Sequence, residues 1–222
     1  MDTRNTRAIL FANGEIADPA GVSKILLPDD FLVAVDGGLR HIQNLGLTPG
    51  LLIGDLDSVS QEDVGQLRAA GVPVRKYPVE KDETDLELAL RAVMDMGYRQ
   101  MRIVAGLGGR LDQTLGNLFL LLLPELAACD VCLDDGTIEA FLIHRQTELE
   151  GRAGDTLSLL PMEGPAFGVL TEGLYYPLKS ETLFPEHTRG ISNVFLGDHA
   201  RVSLEKGILL CIHTRIMDEK ET

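Results

Sequence analysis

The stretch LLIGDLDSVS, residues 51–60, decides the fold. The run LLIG is too short for a helix and ends at Gly54, as a strand buried in a parallel sheet does. Two carboxylates, Asp55 and Asp57, then flank one leucine before Ser58. Acids just beyond a parallel strand stand where open α/β sheets bind their ligands, outside the strands' carboxyl ends.

Working outward, the same grammar recurs. RAILFA (7–12), FLVAVD (31–36) and MRIVAG (101–106) read as strands, and VPVRKY (72–77), with its proline, as an edge strand. Helices fit between them. One is expected over 38–45. SQED (60–63) forms a capping box that opens a helix ending at Gly71. Thr84 and Glu87 form a second box, after which Leu86, Leu90 and Val93 recur at helical spacing until Gly97. Residues 113–127 are almost wholly apolar and predict a buried helix. Strands alternating with helices imply a mostly parallel sheet covered on both faces.

From about residue 130 the pattern changes to short runs punctuated by glycine and proline. Asp135-Gly136 and Lys206-Gly207 each separate two apolar runs, as in hairpins. DTLSLLPM, AFGVLTEG, ARVSLEKG and ILLCIHTR predict strands, with no long amphipathic helix among them. The expected organisation is an α/β domain over 1–143 and an all-β sandwich over 144–222.

Composition narrows the function. The 222 residues are 45% hydrophobic, enough for a substantial core. No apolar run reaches the roughly 18 residues of a membrane span. The N-terminus has no basic stretch followed by a long apolar one, so no secretory signal and no membrane association are expected, and a cytoplasmic location is. A formal net charge of -14 argues against nucleic acid as a partner. Cys129 and Cys132 form a CxxC, but no second such pair follows, and the reading is structural. No histidine has a second at ligand spacing, and no GxxxxGK[ST] cradle occurs.

Polar loops should gather at one rim of the sheet. Asn13-Gly14 follows the first strand, Asp36-Gly37-Gly38 the second and Asp55-Leu56-Asp57-Ser58 the third. Lys81-Asp82-Glu83-Thr84-Asp85 precedes a helix, and Gly108-Gly109-Arg110-Leu111-Asp112-Gln113 follows the strand at 101–106. Asp36, Asp55, Asp57, Asp82, Asp85 and Asp112 would repel one another if all were charged and unpaired. A hard divalent cation resolves this, and Mg²⁺ binds through a few carboxylates plus substrate phosphates. Glycine amides and the fork of Arg110 would suit phosphate oxygens, with Lys81 as an added point charge. Each motif also has a plain structural use: Thr84 caps a helix, Asp85 meets a helix dipole, and Asp57 and Ser58 suit a turn.

In this order and spacing, DGG (36–38), GDLDS (54–58), KDETD (81–85) and GGRLDQ (108–113) resemble the thiamine pyrophosphokinase family. LFANG (10–14), TEGLYYPL (171–178) and RGISN (189–193) extend the likeness over nearly the whole chain. The resemblance implies a Rossmann-like nucleotide domain plus a thiamine-binding β-sandwich, paired in a homodimer with active sites between subunits. It implies ATP and thiamine as substrates, thiamine diphosphate and AMP as products, and Mg²⁺ as cofactor. Asp55, Asp57 and Asp85 would hold the metal. Arg110 and Asp112 would serve the nucleotide and phosphate site, and Asp36 would sit near the reacting groups. Asn13, Gly37, Gly38, Lys81, Asp82, Thr84, Gly109, Gln113 and Asn117 would also bind the nucleotide and its phosphates. Tyr176, Ser192 and Asn193 would meet thiamine. Gln113 stands where many bacterial members carry histidine, and Tyr176 where tryptophan is frequent. The general base stays open between Asp36 and Asp112. A different heterocyclic alcohol as acceptor, a non-catalytic sensor and a purely structural domain are the competing readings.

Overall fold

Six short strands of the N-terminal part pair in parallel. They are β1 (Ala8–Phe11), β2 (Phe31–Val35), β3 (Leu51–Gly54), β4 (Val74–Lys76), β5 (Gln100–Val104) and β6 (Asp130–Asp134). Their spatial order is β6-β5-β1-β2-β3-β4, each neighbouring pair parallel. The structure, a computed structural model, describes residues 7–216. The outermost residues of both expected domains lie outside that range. The chain divides into two compact units, one ending at Gly136 and one beginning at Thr137, earlier than the 143/144 boundary expected from composition.

Every residue of β1 and β3 is buried, which explains their unbroken apolar sequences. The chain builds outward from β1 through β4, then returns to add β5 and β6 on the other side of β1. That reversal opens a crevice between the carboxyl ends of β1 and β5.

The helices follow their local signals. They are α1 (Pro19–Ile25), α2 (Leu39–Asn44), α3 (Gln61–Ala69), α4 (Asp85–Asp95) and α5 (Leu111–Leu120). Ser60 Oγ accepts the Asp63 N–H at 3.0 Å at the start of α3, and Thr84 Oγ1 accepts the Glu87 N–H at 3.2 Å at the start of α4. Gly71 (φ 79°) and Gly97 (φ 96°) end them in the left-handed region. Ile9, Phe11, Ala34 and Leu52 of the strands pack with Leu39 and Ile42 of α2 and Val64 and Leu67 of α3.

One helix departs from expectation. The apolar stretch 113–127 was expected to be buried, but α5 is shorter and buries no residue. Leu111, Leu115 and Phe119 are 71%, 45% and 55% exposed. An apolar sequence requires cover but does not say that its own chain supplies it.

The second unit is two antiparallel sheets. One has the order β12 (Asn193–Val194), β9 (Thr156–Pro161), β14 (Leu209–Thr214), β7 (Ile138–Ile143). The other runs β11 (Lys179–Leu183), β10 (Ala166–Glu172), β13 (His199–Ser203), β8 (Gln146–Glu150). Leu157, Leu159, Leu209 and Cys211 of the first pack against Val169, Leu183, Ala200 and Val202 of the second in one core. The hairpin expected at Lys206-Gly207 does not form. β13 pairs with β8 and β10, β14 with β7 and β9, so this connection crosses from sheet to sheet. Gly207 makes the crossing with φ 106°, where an added Cβ would lie 2.9 Å from the Ala166 Cα.

Candidate active site

The crevice at the strand reversal is a cleft of about 810 Å³, lined wholly by residues of the first unit. Asn13 and Gly14 enter it from the end of β1, Asp36 and Arg40 from the end of β2, and Asp55 from the end of β3. Lys81, Thr84 and Asp85 border it at the start of α4, Gly109, Arg110 and Gln113 at the start of α5, and Asn117 two turns further along α5. These are the loops singled out in the sequence.

Asp36 begins a 3-10 turn, Asp36–Gly38, and is 6% exposed. Its Oδ1 is buried and has no hydrogen-bond partner. Carboxylate oxygens of Asp36, Asp55 and Asp57 lie within 4.8 Å of one another. Three converging acids, one with an orphaned buried oxygen, fit a hard divalent cation, because oxygen-only donors at this spacing repel without one.

The turn that presents these acids is tightly built. Leu56 takes φ 65°, the Asp57 N–H donates to Asp55 Oδ1 at 3.0 Å, and the Ser58 hydroxyl donates to Asp57 Oδ1 at 2.8 Å. Gly54 (φ 150°) lets the strand end close to Asp36, whose Cβ would stand 3.0 Å from an added one.

Asp85, expected among the metal ligands, is not part of that trio and pairs with Lys81 in the metal-free chain. Its Oδ1 lies 2.8 Å from Lys81 Nζ, which is also 3.8 Å from Asp55 and donates to the Pro78 carbonyl at 3.0 Å. Burial pushes the Asp85 carboxyl up. Lys81 opposes this, and the charges of Asp55 and Asp36 add to it, leaving the group above its ordinary value. Burial would lower the Lys81 ammonium, but Asp85, Asp55 and Asp36 together hold it raised.

On the far wall, Gly108 (φ 79°) and Gly109 (φ 68°) lead into α5. Asn117 Nδ2 donates to the Gly106 carbonyl at 2.8 Å and the Thr114 hydroxyl to that of Gly108 at 3.1 Å, so the loop's shape is fixed by the helix it precedes. Arg110 and Asp112 form an exposed two-bond pair at 2.6 and 3.1 Å. The guanidinium holds the Asp112 carboxyl below its ordinary range. Asp57, Asp112, Gly37, Gly38 and Asp82 do not line the cleft; Asp57 is exposed beside it, with a carboxylate oxygen within 4.8 Å of those of Asp36 and Asp55. Gly37 and Gly38 are buried beneath it, and an added Cβ on Gly38 would overlap the Phe11 carbonyl oxygen.

In the second unit, Tyr175 and Tyr176 are exposed and meet edge to face, centroids 4.8 Å apart. Asn193 is buried. Its Oδ1 accepts the Tyr176 N–H at 2.9 Å, and its Nδ2 donates to the Tyr176 carbonyl at 2.8 Å. The side chain thus shapes the tyrosine loop. Ser192, at φ 56°, donates its N–H to Ser158 Oγ at 3.0 Å.

Sequence reasoning passed over Arg40, gave Ser58 a turn role only and read His41 as no ligand. Arg40 Nη2 donates to the carbonyls of Asn13 at 2.9 Å and Gly14 at 2.8 Å, and Nη1 to Asn13 Oδ1. His41 Nε2 lies 2.8 Å from the same Gly14 carbonyl. Burial lowers the His41 ring below its ordinary value, against the pull of that carbonyl. The available signal was Arg40's position in the first turn of α2, where a cation opposes the helix dipole.

Residues 22–136 match the family model for the thiamin pyrophosphokinase catalytic domain, which spans more than half of the chain. The chain belongs to the thiamin pyrophosphokinase family. It is an enzyme of that family and converts thiamine to thiamine diphosphate. Residues 142–209 match the family's vitamin B1 binding domain. The thiamine pyrophosphokinase of Bacillus subtilis is 27% identical over 205 residues, 88% of this chain and 96% of that protein. The crystal structure of the Bacillus subtilis enzyme superposes with a TM-score of 0.84 at 25% identity, covering 96% of this chain and 100% of that one. That of the Geobacillus thermodenitrificans thiamin pyrophosphokinase gives 0.81 at 25% identity, covering 97% and 99%. Among the described residues, no helix is long and apolar enough to cross a membrane.

Proposed function

We propose that the cleft of the first unit, a Rossmann-like nucleotide domain, binds ATP with Mg²⁺ and passes its pyrophosphoryl group to the hydroxyl of thiamine, releasing AMP. The observation that carries this is the convergence of Asp36, Asp55 and Asp57, with the buried, unpartnered Asp36 oxygen, at the carboxyl ends of β2 and β3 beside the crevice.

Asp36, Asp55 and Asp57 would hold Mg²⁺, which when bound neutralises charge developing on the phosphate oxygens. Asp85 stands behind this set. Its ion pair keeps the Lys81 ammonium at the cleft wall, where it can meet a phosphate. Arg110, exposed at the mouth, exchanges Asp112 for polyphosphate oxygens, and the Gly108-Gly109 loop amides fix them in line. Of the two candidate bases, Asp112 is tied to Arg110 outside the lining, whereas Asp36 faces the cleft. Phosphoryl transfer depends mainly on positioning and charge, so a weak base suffices.

We place thiamine against Tyr176 in a homodimer, each site built from two subunits. The exposed apolar faces support this: Leu111, Leu115 and Phe119 on α5, and Tyr175, Tyr176, Ile191 and Leu196 in the second unit. Tyr176 offers a π face to a cationic ring, held by Asn193 rather than by direct contact of Asn193 with the ligand. An ATP-dependent reaction of this kind fits a cytoplasmic enzyme.

The test is AMP release from ATP and Mg²⁺ with and without thiamine. AMP formed only with thiamine, in step with thiamine diphosphate, is expected. AMP formed equally without thiamine, or none at all from folded protein, would overturn the reading.

A further inference from the structure

We propose that Arg40 is a positioning residue for the cation ligand Asp57, acting through Asn13 and Ser58. The inference rests on the cation reading above and extends it to a residue outside the acidic set. Arg40 Nη1 donates to Asn13 Oδ1, which turns the amide so that Nδ2 faces Ser58 Oγ, 3.4 Å away. The Ser58 oxygen accepts that bond, and its own hydrogen goes to Asp57 Oδ1 at 2.8 Å. Asp57 Oδ1 is thereby tethered and Oδ2 is left for the cation. Without the tether, Asp57 is an exposed side chain with two free torsions.

Two further features fit this use of Asn13. An added Cβ at Gly37 would lie 2.7 Å from Asn13 Cγ and 2.8 Å from its Nδ2, so the amide rests on the bare glycine Cα. The Asn13-Gly14 backbone is gripped from both sides. Arg40 and His41 hold the carbonyls, and the Gly14 N–H donates to the Ala105 carbonyl at 3.1 Å. The guanidinium fork bonds an amide oxygen and two carbonyls in one rigid, preorganised geometry, which a flexible lysine ammonium does not fix.

The experiment measures Mn²⁺ binding to the nucleotide-free protein, by the loss of the free-ion electron resonance signal, with turnover against Mg²⁺ concentration beside it. Arg40→Met, Arg40→Lys and Ser58→Ala should each weaken Mn²⁺ binding about tenfold, as loss of a group that orients a ligand does. The Arg40→Met/Ser58→Ala double variant should be no weaker than either single one, because both cut the same chain. Turnover at saturating Mg²⁺ should recover most of its value. Additive losses would overturn the relay. Recovery in Arg40→Lys would overturn it too, since charge alone would then suffice. Unchanged Mn²⁺ affinity with a raised KM for ATP would make Arg40 a direct phosphate contact instead. Should Arg40→Met fail to fold, Ser58→Ala, a small exposed change, decides by itself. Wild-type protein that binds no Mn²⁺, or Asp57→Asn that binds it as well as wild type, would sink the cation reading, and the inference with it.

Discussion

Asp36, Leu56 and Ala105 all have positive φ, 46°, 65° and 56°, and all lie just beyond the carboxyl ends of parallel strands. Non-glycine residues persist there only when their surroundings over-determine them, and such strain gathers at functional sites. In this cleft the strain aims carboxylates. Asp57→Asn should therefore lower turnover at least about 100-fold while leaving the melting temperature close to wild type, since the side chain is exposed. Near-normal turnover at saturating Mg²⁺ would remove Asp57 from the metal set. Asp36→Asn should lower turnover similarly but raise the melting temperature of metal-free protein, because it removes a buried charge without a hydrogen-bond partner on Oδ1. A lower melting temperature would mean that Asp36 supports the fold. The acids were legible because residue type and spacing survive without coordinates. That Lys81 takes Asp85, and that Asp36 joins Asp55 and Asp57, depends on side-chain direction at a bend, which sequence spacing does not encode.

Strands and helices were read most accurately where a cap or a close packing fixes them locally. Ser60 and Thr84 start their helices as the capping boxes require. The Lys206-Gly207 crossing was misread because a glycine turn looks alike whether the next strand joins the same sheet or the opposite one. Gly38 is fixed by contact: an added Cβ would overlap the Phe11 carbonyl. Gly38→Ala should destabilise by about 3 kcal/mol, read as a lower urea midpoint with an unchanged slope. In the second unit, Asp155 is buried, accepting from the Ile216 N–H at 2.8 Å, the Arg152 N–H at 3.0 Å and His213 Nε2 at 3.0 Å. Burial would raise its carboxyl, but these donors together hold it below its ordinary value. A carboxyl depressed in the folded state contributes fully above its unfolded pKa, about 3.9, and loses that contribution as pH falls through the folded value. Asp155→Asn should thus be destabilised by about 2 kcal/mol near pH 7, with the gap to wild type narrowing below about pH 4. A gap that widens on acidification would mean the carboxyl is not held low.

The whole molecule has to reconcile an acidic surface with an anionic substrate and an apolar helix with water. The net charge of -14 is tolerable for a nucleotide that arrives with its cation, if the cleft acids that would repel the phosphates hold the metal as proposed. The helix poses the second problem. Leu111, Leu115 and Phe119 recur every four residues on α5 and stay exposed in the single chain, although the sequence alone predicted burial for 113–127, which includes Leu115 and Phe119. Both statements hold if a second copy covers the stripe. Sequence patterning reports that a face must be buried and is silent on whose atoms bury it. Because α5 begins at the cleft wall, with Gln113 and Asn117 among its lining residues, covering the stripe would also brace the phosphate loop. Leu115→Glu combined with Phe119→Glu should then convert a dimer into a monomer in sedimentation velocity at micromolar concentration. It should raise the KM for thiamine at least about tenfold, because charges placed in an apolar interface are not compensated there. Fold should persist, since neither side chain belongs to the core of its own chain. A variant that stays dimeric with unaltered kinetics would place the interface elsewhere. A wild-type protein that sediments as a monomer yet makes thiamine diphosphate would show that one chain completes the site.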